Sequence, residues 1–196
     1  PLSGLSNRRS FVERLEERLR ESARRDEQSA VLFIDLDQFK QVNDSLGHGV
    51  GDELLVSVAS RLSEQVRLID MLARLGGDEF ICLMEGVRSE DEVALLAREI
   101  LAAFEFPFKL GDHELFLTAS VGISQSPGDG DSVLALMRNA DTAMYRAKAL
   151  GRGNFHFYTP EMTRDAQERI QMENLLRRAL DNGELSVHLQ PQVETG

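Results

Sequence analysis

Hydrophobic and polar residues alternate with two different periods along the chain, and this pattern predicts a protein that contains both helices and strands. Apolar residues recur every three or four positions in several segments, which is typical of amphipathic helices. These helices are expected at residues 6–25, 51–66, 89–104 and 131–151. Continuous or alternating apolar runs between the helices predict strands. The strands are expected at residues 30–37, 71–84, 108–124 and 154–158, with 71–84 and 108–124 each forming a hairpin.

The order of these elements predicts an α/β sandwich, in which helices flank a central mixed, mostly antiparallel sheet. After Pro160 the chain becomes more polar, and residues 161–183 predict one long helix. Residues 184–196 then begin a further strand. We therefore expect one domain over residues 1–160, a linker helix over 161–183 and the start of a second domain at 184–196.

Carboxylates stand at the ends of two predicted strands. Asp35 and Asp37 end one apolar strand, and Asp78 and Glu79 follow a Gly-Gly pair (76–77) in a predicted hairpin turn. If the two strand ends are adjacent, these like charges repel one another, and a divalent cation would relieve the repulsion. The glycines would let a bulky ligand approach the backbone. The alternative is a turn with a solvated acidic flank, and the short motif alone leaves both interpretations open.

Other polar residues are spaced as a nucleotide-binding site would require. Lys40 and Asn43 fall in a predicted loop that leads into the helix at 51–66, and Asp52 lies in the first turn of that helix. An amide and a carboxylate together can read the hydrogen-bonding edge of guanine, although an Asx turn at Asn43 and a helix-start charge at Asp52 are the favoured explanations of each residue taken singly. Lys148 and Arg152 could hold one phosphate group between them. The alternative is ordinary placement of cations at a helix C-terminus.

Composition narrows the class of protein. A formal net charge of −11 over 196 residues argues against a nonspecific nucleic-acid binder, which needs a broad basic surface. The single cysteine, Cys82, excludes an internal disulfide and fits a reducing compartment, with its thiol in the core. No signal peptide and no membrane-length apolar run is present. We therefore expect a cytoplasmic location without membrane contact by these residues. If the chain is part of a longer protein, a membrane anchor of that protein would lie upstream.

The motifs occur in the order found in GGDEF diguanylate cyclases, and residues 1–158 resemble that family. The matching stretches are PLSGLSNRRSF, DLDQFKQVND, GHGVGDELL, RLIDMLARLGGDEF, SVGIS and NADTAMYRAKALGRG. The chain differs from the usual pattern at Ser3 and Ser6, and it lacks the Asp that usually precedes Pro1. The tail resembles the opening of an EAL phosphodiesterase domain, although Leu189 stands where Tyr is usual. The parent protein thus resembles a GGDEF–EAL hybrid, cut after the first EAL strand.

The resemblance implies a fold like the palm of nucleotide polymerases and an enzyme of bacterial signal transduction. It implies a nucleotidyltransferase that condenses two GTP into cyclic di-GMP and releases two pyrophosphates. Two chains would meet head to head as a homodimer, with two Mg²⁺ or Mn²⁺ ions in each active site. The partners implied are therefore GTP, cyclic di-GMP, a second copy of the chain and the downstream EAL domain, without nucleic acid.

The resemblance also assigns roles to particular residues. Asp35, Asp78 and Glu79 would be catalytic, with Glu79 helping to deprotonate the 3′-hydroxyl of GTP. The metal ligands would be these three side chains and the backbone carbonyl of Leu36. The implied substrate-binding residues are Asn43 and Asp52 on guanine, Lys40, Lys148 and Arg152 on the triphosphate, and Phe39, Gly76 and Gly77.

A second site is implied by the stretch RLID. Arg67 and Asp70 form an R-x-x-D motif whose distance from Gly76 matches the family's product-inhibition site, and Arg98 is a weaker candidate contact. Arg can bind guanine O6 and N7 with two hydrogen bonds. The alternative is a local ion pair between Arg67 and Asp70, or between Asp70 and Arg74.

Two functions remain open from the sequence. The first is an active diguanylate cyclase with product inhibition. The second is a catalytically silent domain that binds GTP or cyclic di-GMP and regulates a downstream EAL phosphodiesterase. A cyclase that makes mixed dinucleotides is disfavoured, because a carboxylate at Asp52 suits guanine rather than adenine. A purely structural domain does not require so many polar residues at one sheet edge.

Overall fold

The computed structural model describes residues 2–25 and 27–186. Its helices are α1 (Arg8–Arg25), α2 (Phe39–Leu46), α3 (His48–Gln65), α4 (Glu90–Ala102), α5 (Val133–Ala149) and α6 (Pro160–Asp181). Its strands are β1 (Ser6–Asn7), β2 (Gln28–Leu36), β3 (Met71–Gly76), β4 (Glu79–Val87), β5 (Phe108–Leu110), β6 (His113–Leu115), β7 (Ala119–Ser126) and β8 (Phe155–Phe157).

Six strands form one sheet in the order β1-β3-β4-β2-β7-β8. The pairs β1–β3 and β7–β8 are parallel, and the three pairs between β3, β4, β2 and β7 are antiparallel. The prediction of a mixed, mostly antiparallel sheet flanked by helices is therefore confirmed. Strand β2 lies between β4 and β7, so both of its edges are hydrogen-bonded and its end is held firmly in place.

The central strand is buried on both faces, as its continuous apolar sequence predicted. Leu32 and Ile34 pack into a core with α3 and α4 on one face of the sheet. Val31 and Phe33 pack into a second core with α1 and α5 on the other face. Cys82 is fully buried in the first of these cores, as expected for a small apolar side chain.

The structure differs from the prediction in two elements. The loop expected between β2 and the next helix is the separate helix α2, which is divided from α3 by Gly47 with φ 85°. Helix α2 buries only Phe39, and its N-cap, Gln38, makes no side-chain cap hydrogen bond, so its sequence carries little helical signal. The hairpin expected over 108–124 is shorter, because β5 and β6 turn at Gly111 and form their own small sheet. Strand β7 instead joins the main sheet beside β2.

The described part of the chain ends in α6, close to the predicted linker helix. Residues 184–186 form no strand, and the remainder of the predicted second-domain start, 187–196, lies outside the described residues. The division into a domain, a linker and a further domain therefore stays a prediction. No helix in the described residues combines the length and the apolar character that crossing a bilayer requires.

Glu85, near the end of β4, joins helix α1 to the sheet. Its carboxylate accepts two hydrogen bonds from Arg14, at 2.8 and 3.1 Å, and lies 3.4 Å from Nε of Arg18. The backbone of the same residue bonds to the turn before β3, because its N–H donates to Asp70 and its carbonyl accepts from Arg67. The side chains of Glu85 and Arg18 are only 8% and 10% exposed, so each charge depends on its partners.

Replacing Glu85 should therefore destabilise the fold. We expect Glu85→Ala to lower the free energy of unfolding by about 3 kcal/mol, because it leaves Arg18 buried without this carboxylate. Glu17→Ala is the matched control, since it removes the other, exposed partner of Arg14 and should change stability by less than about 1 kcal/mol. Urea unfolding measures both. Equal effects of the two substitutions would contradict this role of Glu85.

Candidate active site

The end of β2 and the start of β4 bring the predicted catalytic carboxylates to one edge of the sheet. Asp35 stands directly opposite Glu79 in the antiparallel register. The backbone N–H of Leu36 donates to the carbonyl of Asp78 at 3.3 Å, which extends the pairing into the turn. Asp35 is buried, whereas Asp78 and Glu79 are half-buried. The structure therefore places these predicted residues side by side.

Burial and mutual repulsion make this edge electrostatically unfavourable for several negative charges. Burial raises the pKa of Asp35; the ammonium of Lys148 opposes this rise, and the charge of Asp78 adds to it. Burial also raises the pKa of Glu79, and the negative charges of Asp35, Asp141 and Asp78 raise it further. Lys148, from α5, places Nζ 2.6 Å from Oδ1 of Asp35. A cation is therefore already needed at this edge, and a lysine supplies it.

The donor set suits a divalent cation that is shared with a ligand. Across residues 2–25 and 27–186, no three Asp, Glu, His or Cys side chains surround a position suitable for a metal ion. Mg²⁺, however, usually takes one or two carboxylates and completes its shell with waters and substrate phosphates. Asp35, the Leu36 carbonyl, Asp78 and Glu79 could contribute to such an open site. The buried Asp35 carboxylate and the half-buried carboxylates that repel it fit this use.

Asp37 has a different role from Asp35, although the sequence placed both among the converging carboxylates. Its two oxygens accept hydrogen bonds from Thr118 at 2.6 Å, from Ser120 at 2.8 Å and from the backbone N–H of Gly153 at 3.1 Å. Nε of Arg152 lies 4.0 Å from the same carboxylate. Asp37 therefore joins β2 to β7 and to the loop after α5, and it holds Arg152 near the site.

The glycine pair leaves room above the β3–β4 turn. Gly76 and Gly77 have φ values of 153° and 52°, and an added Cβ at either would meet no atom within 4 Å. Arg74 donates two hydrogen bonds to the carbonyl of Gly77, at 3.0 and 2.7 Å, and so fixes the turn. Arg74 is thus not the partner of Asp70, which was one alternative for that carboxylate.

Asn43 and Asp52 lie on two helices that meet at a glycine. Asn43 is half-buried on α2 and packs against Gly51 of α3. The contact is so close that a Cβ added to Gly51 would lie 1.9 Å from Oδ1 of Asn43. Asp52 is the next residue and is exposed, and Phe39 packs beneath the same glycine. Lys40 is exposed on α2, and its side chain makes no hydrogen bond or ion pair with another described residue.

The R-x-x-D residues form the local ion pair that was the alternative to a ligand site. Arg67 donates to both oxygens of Asp70, at 2.6 and 2.9 Å, and to Glu92 of α4 at 3.0 Å. The Asp70 side chain is fully buried, whereas that of Arg67 is 39% exposed. Arg98 makes no hydrogen bond or ion pair to either residue in the described chain, so the structure does not bring it to this turn.

Asp141 belongs to this edge but was not selected from the sequence. It lies on α5 seven residues before Lys148, which places both residues on one face of the helix. The negative charge of Asp141 raises the pKa of Glu79. Both residues line a cavity of about 860 Å³ between α1 and α5. The two-turn spacing from Lys148 is the signal that could have identified it.

Comparison with known proteins identifies the family of the chain. The family model described as "Diguanylate cyclase, GGDEF domain" matches residues 1–154. The bifunctional diguanylate cyclase/cyclic di-GMP phosphodiesterase MucR of Pseudomonas aeruginosa is 44% identical over 192 residues, which cover 98% of this chain and 28% of MucR. The chain thus spans little more than a quarter of that relative.

Two solved structures have the same fold at high similarity. The GGDEF domain of TpbB from Pseudomonas aeruginosa superimposes with a TM-score of 0.83 at 40% identity, covering 85% of this chain and 97% of that one. The coiled coil and GGDEF domain of DgcB from Caulobacter crescentus, solved in complex with c-di-GMP, gives a TM-score of 0.73 at 27% identity. That match covers 80% of this chain and 83% of the solved DgcB chain.

Proposed function

The chain belongs to the GGDEF diguanylate cyclase domain family, and we propose that it is an active diguanylate cyclase that condenses two GTP into cyclic di-GMP. The observation that carries this proposal is the pairing of buried Asp35 with Glu79 at a sheet edge where Lys148 already acts as counter-ion. A domain kept only for binding would not need several carboxylates held together against their repulsion. All the carboxylates of the family motif are also present.

The residues of the chain divide the chemistry between them. Asn43 and Asp52 read guanine from α2 and α3, and Phe39 packs under the Gly51 contact that positions Asn43. Lys40, Lys148 and Arg152 bind the triphosphate, for which Gly76 and Gly77 leave space. Glu79 accepts the proton of the 3′-hydroxyl. Two bound Mg²⁺ or Mn²⁺ ions would activate that hydroxyl and neutralise the α-phosphate and the leaving pyrophosphate.

Each chain offers one set of these residues, whereas the product contains two guanosine units. The proposal therefore includes a head-to-head homodimer, in which the 3′-hydroxyl bound to one protomer attacks the α-phosphate bound to its partner. In the parent protein, an EAL phosphodiesterase domain is proposed to follow the described residues. The bifunctional relative MucR supports this arrangement.

Arg67 and Asp70 are proposed to bind cyclic di-GMP as an inhibitory site. Their turn is exposed at Leu68 and Ile69, and the Arg67 guanidinium is partly accessible to a guanine. A ligand there would have to compete with Glu92, which lies at the partly exposed side of the guanidinium. Arg98 remains the weaker candidate for a further contact with this ligand.

The second candidate function is a silent domain that binds GTP or cyclic di-GMP and regulates the EAL domain. The ion pair between Lys148 and Asp35 favours it to some degree, because it occupies the carboxylate that a metal would use. GTP turnover distinguishes the two functions. The silent domain would bind GTP without forming cyclic di-GMP at any protein concentration.

Removing the Glu79 carboxylate should abolish turnover. We expect Glu79→Ala to lower the rate of cyclic di-GMP formation by at least about 100-fold, since it removes the proposed proton acceptor. Chromatographic separation of nucleotides after incubation with GTP and Mg²⁺ measures the rate. Asp112→Ala, in the exposed β5–β6 turn, removes a carboxylate without touching the site and should keep the wild-type rate. Intact turnover in Glu79→Ala would overturn the mechanism.

Filling the space at Gly51 should impair guanine recognition. In Gly51→Ala the new methyl group would occupy the position of Asn43 Oδ1, so the amide must rotate away while the fold persists. We expect binding of a fluorescent GTP analogue to weaken about tenfold, the loss of roughly one good hydrogen-bonding contact. Gly49→Ala, on the same helix with open space around it, should bind normally. Unchanged binding in Gly51→Ala would remove Asn43 from the site.

Replacing Arg67 should relieve product inhibition. The rate of GTP turnover by the wild-type protein should fall as cyclic di-GMP accumulates, whereas Arg67→Ala should keep its initial rate. Its inhibition constant for cyclic di-GMP should rise by about tenfold or more, because the proposed bidentate contact to guanine is lost. Progress curves with added cyclic di-GMP measure this. Glu92→Gln frees the guanidinium from one partner and should leave inhibition intact. Loss of inhibition in both variants would indicate a structural effect rather than a ligand contact.

A further inference from the structure

Lys148 occupies the position that a cation would take on Asp35. Its Nζ lies 2.6 Å from Oδ1 of a carboxylate whose side chain is only 8% exposed. The lysine reaches this position from the last turn of α5, and its own side chain is 29% exposed. It is therefore held at the site but retains a route toward solvent.

The other cations near this edge are engaged elsewhere. Arg152 lies beside Asp37, and Arg74 donates both of its hydrogen bonds to the carbonyl of Gly77. Within the described residues, Lys148 is the one cation that opposes the rise in pKa that burial gives to Asp35, Glu79 and Asp141 alike. If Lys148 left without replacement, it would leave a buried carboxylate unpaired beside two others, which is strongly unfavourable.

A metal ion and Lys148 cannot share Asp35 at no cost. A divalent cation that approaches Asp35 alone would meet the ammonium group at close range, and the two positive charges repel. A triphosphate changes this balance because it offers the lysine a new anionic partner. The metal can then take Asp35 while Lys148 moves to the phosphates, and no charge is left unpaired.

We propose that Lys148 acts as an exchangeable counter-ion for Asp35, which suppresses metal binding until a nucleotide triphosphate arrives to receive the lysine. This inference rests on the proposed function only in taking Asp35 as a metal ligand. Metal and nucleotide then bind cooperatively, and by linkage each increases the affinity for the other by the same factor. The lysine thus sets the order of events at the site in addition to contacting phosphate.

The test is metal binding in the absence of nucleotide, which does not depend on turnover. Mn²⁺ is titrated into wild-type protein, Lys148→Met and Lys109→Met, and free Mn²⁺ is followed by electron paramagnetic resonance. Lys109 is exposed on β5, in the separate two-stranded sheet, and Asp35 pairs with Lys148 instead, so replacing Lys109 removes the same charge without removing the Asp35 ion pair. We expect Lys148→Met to bind Mn²⁺ about tenfold more tightly than wild type, and Lys109→Met to match wild type.

Two further variants locate the effect. Lys148→Arg keeps the positive charge and should bind Mn²⁺ as weakly as wild type. The double variant Lys148→Met with Asp35→Asn should lose the gain, because the released carboxylate is gone. Circular dichroism of each variant checks that the fold is retained; if Lys148→Met unfolds, the comparison of Lys148→Arg with Lys148→Gln replaces it.

The outcomes separate this inference from the proposed function. Mn²⁺ binding in Lys148→Met no tighter than in wild type would overturn the inference, as would an equal gain in Lys109→Met. A gain that survives Asp35→Asn would also overturn it, because the metal would then bind elsewhere. If the gain appears as expected but the wild-type protein forms no cyclic di-GMP from GTP, the counter-ion role of Lys148 at Asp35 stands and the cyclase proposal fails.

Discussion

The repulsion between buried carboxylates at the end of the central strand is the constraint on which the rest of the site depends. Asp35 is fixed there because β2 is hydrogen-bonded on both edges, and Glu79 is fixed opposite it by the register with β4. Neither residue can move away from the other without disrupting the sheet. A nearby cation relieves this repulsion; the structure supplies one as Lys148, and the proposed reaction would supply another as metal.

The same sheet connects this edge to the R-x-x-D turn and to the first helix. Strand β4 begins at Glu79 and reaches Glu85, whose backbone is held by Arg67 and Asp70 and whose side chain is held by Arg14. One strand thus carries the proposed catalytic carboxylate at one end and the proposed inhibitory turn with the α1 contact at the other. A ligand that draws Arg67 away from Glu85 would act on the strand that positions Glu79.

The sequence predicted the parts of this arrangement that depend on local pattern. The buried β2 strand, the Gly-Gly turn and the carboxylates beside it follow from apolar runs and turn residues that are visible in the chain. Helix α2 could not be predicted in the same way, because it is short, lacks a side-chain cap and buries only Phe39. Its existence depends on packing against α3, where Asn43 fits only because Gly51 has no side chain.

The ion-pair and hydrogen-bond partners of the charged residues also could not be predicted from the sequence. Asp35 and Asp37 are two positions apart on one strand end, yet one pairs with Lys148 and the other with Thr118, Ser120 and Gly153. That difference arises from residues more than eighty positions away, which no local pattern specifies.

The most direct test of the account is a crystal structure with Mn²⁺ and a non-hydrolysable GTP analogue, with metal located by anomalous scattering. The account predicts Mn²⁺ about 2.1 Å from an Asp35 oxygen with Lys148 moved to the phosphates; Mn²⁺ bound by phosphates alone, with Lys148 still on Asp35, would contradict it.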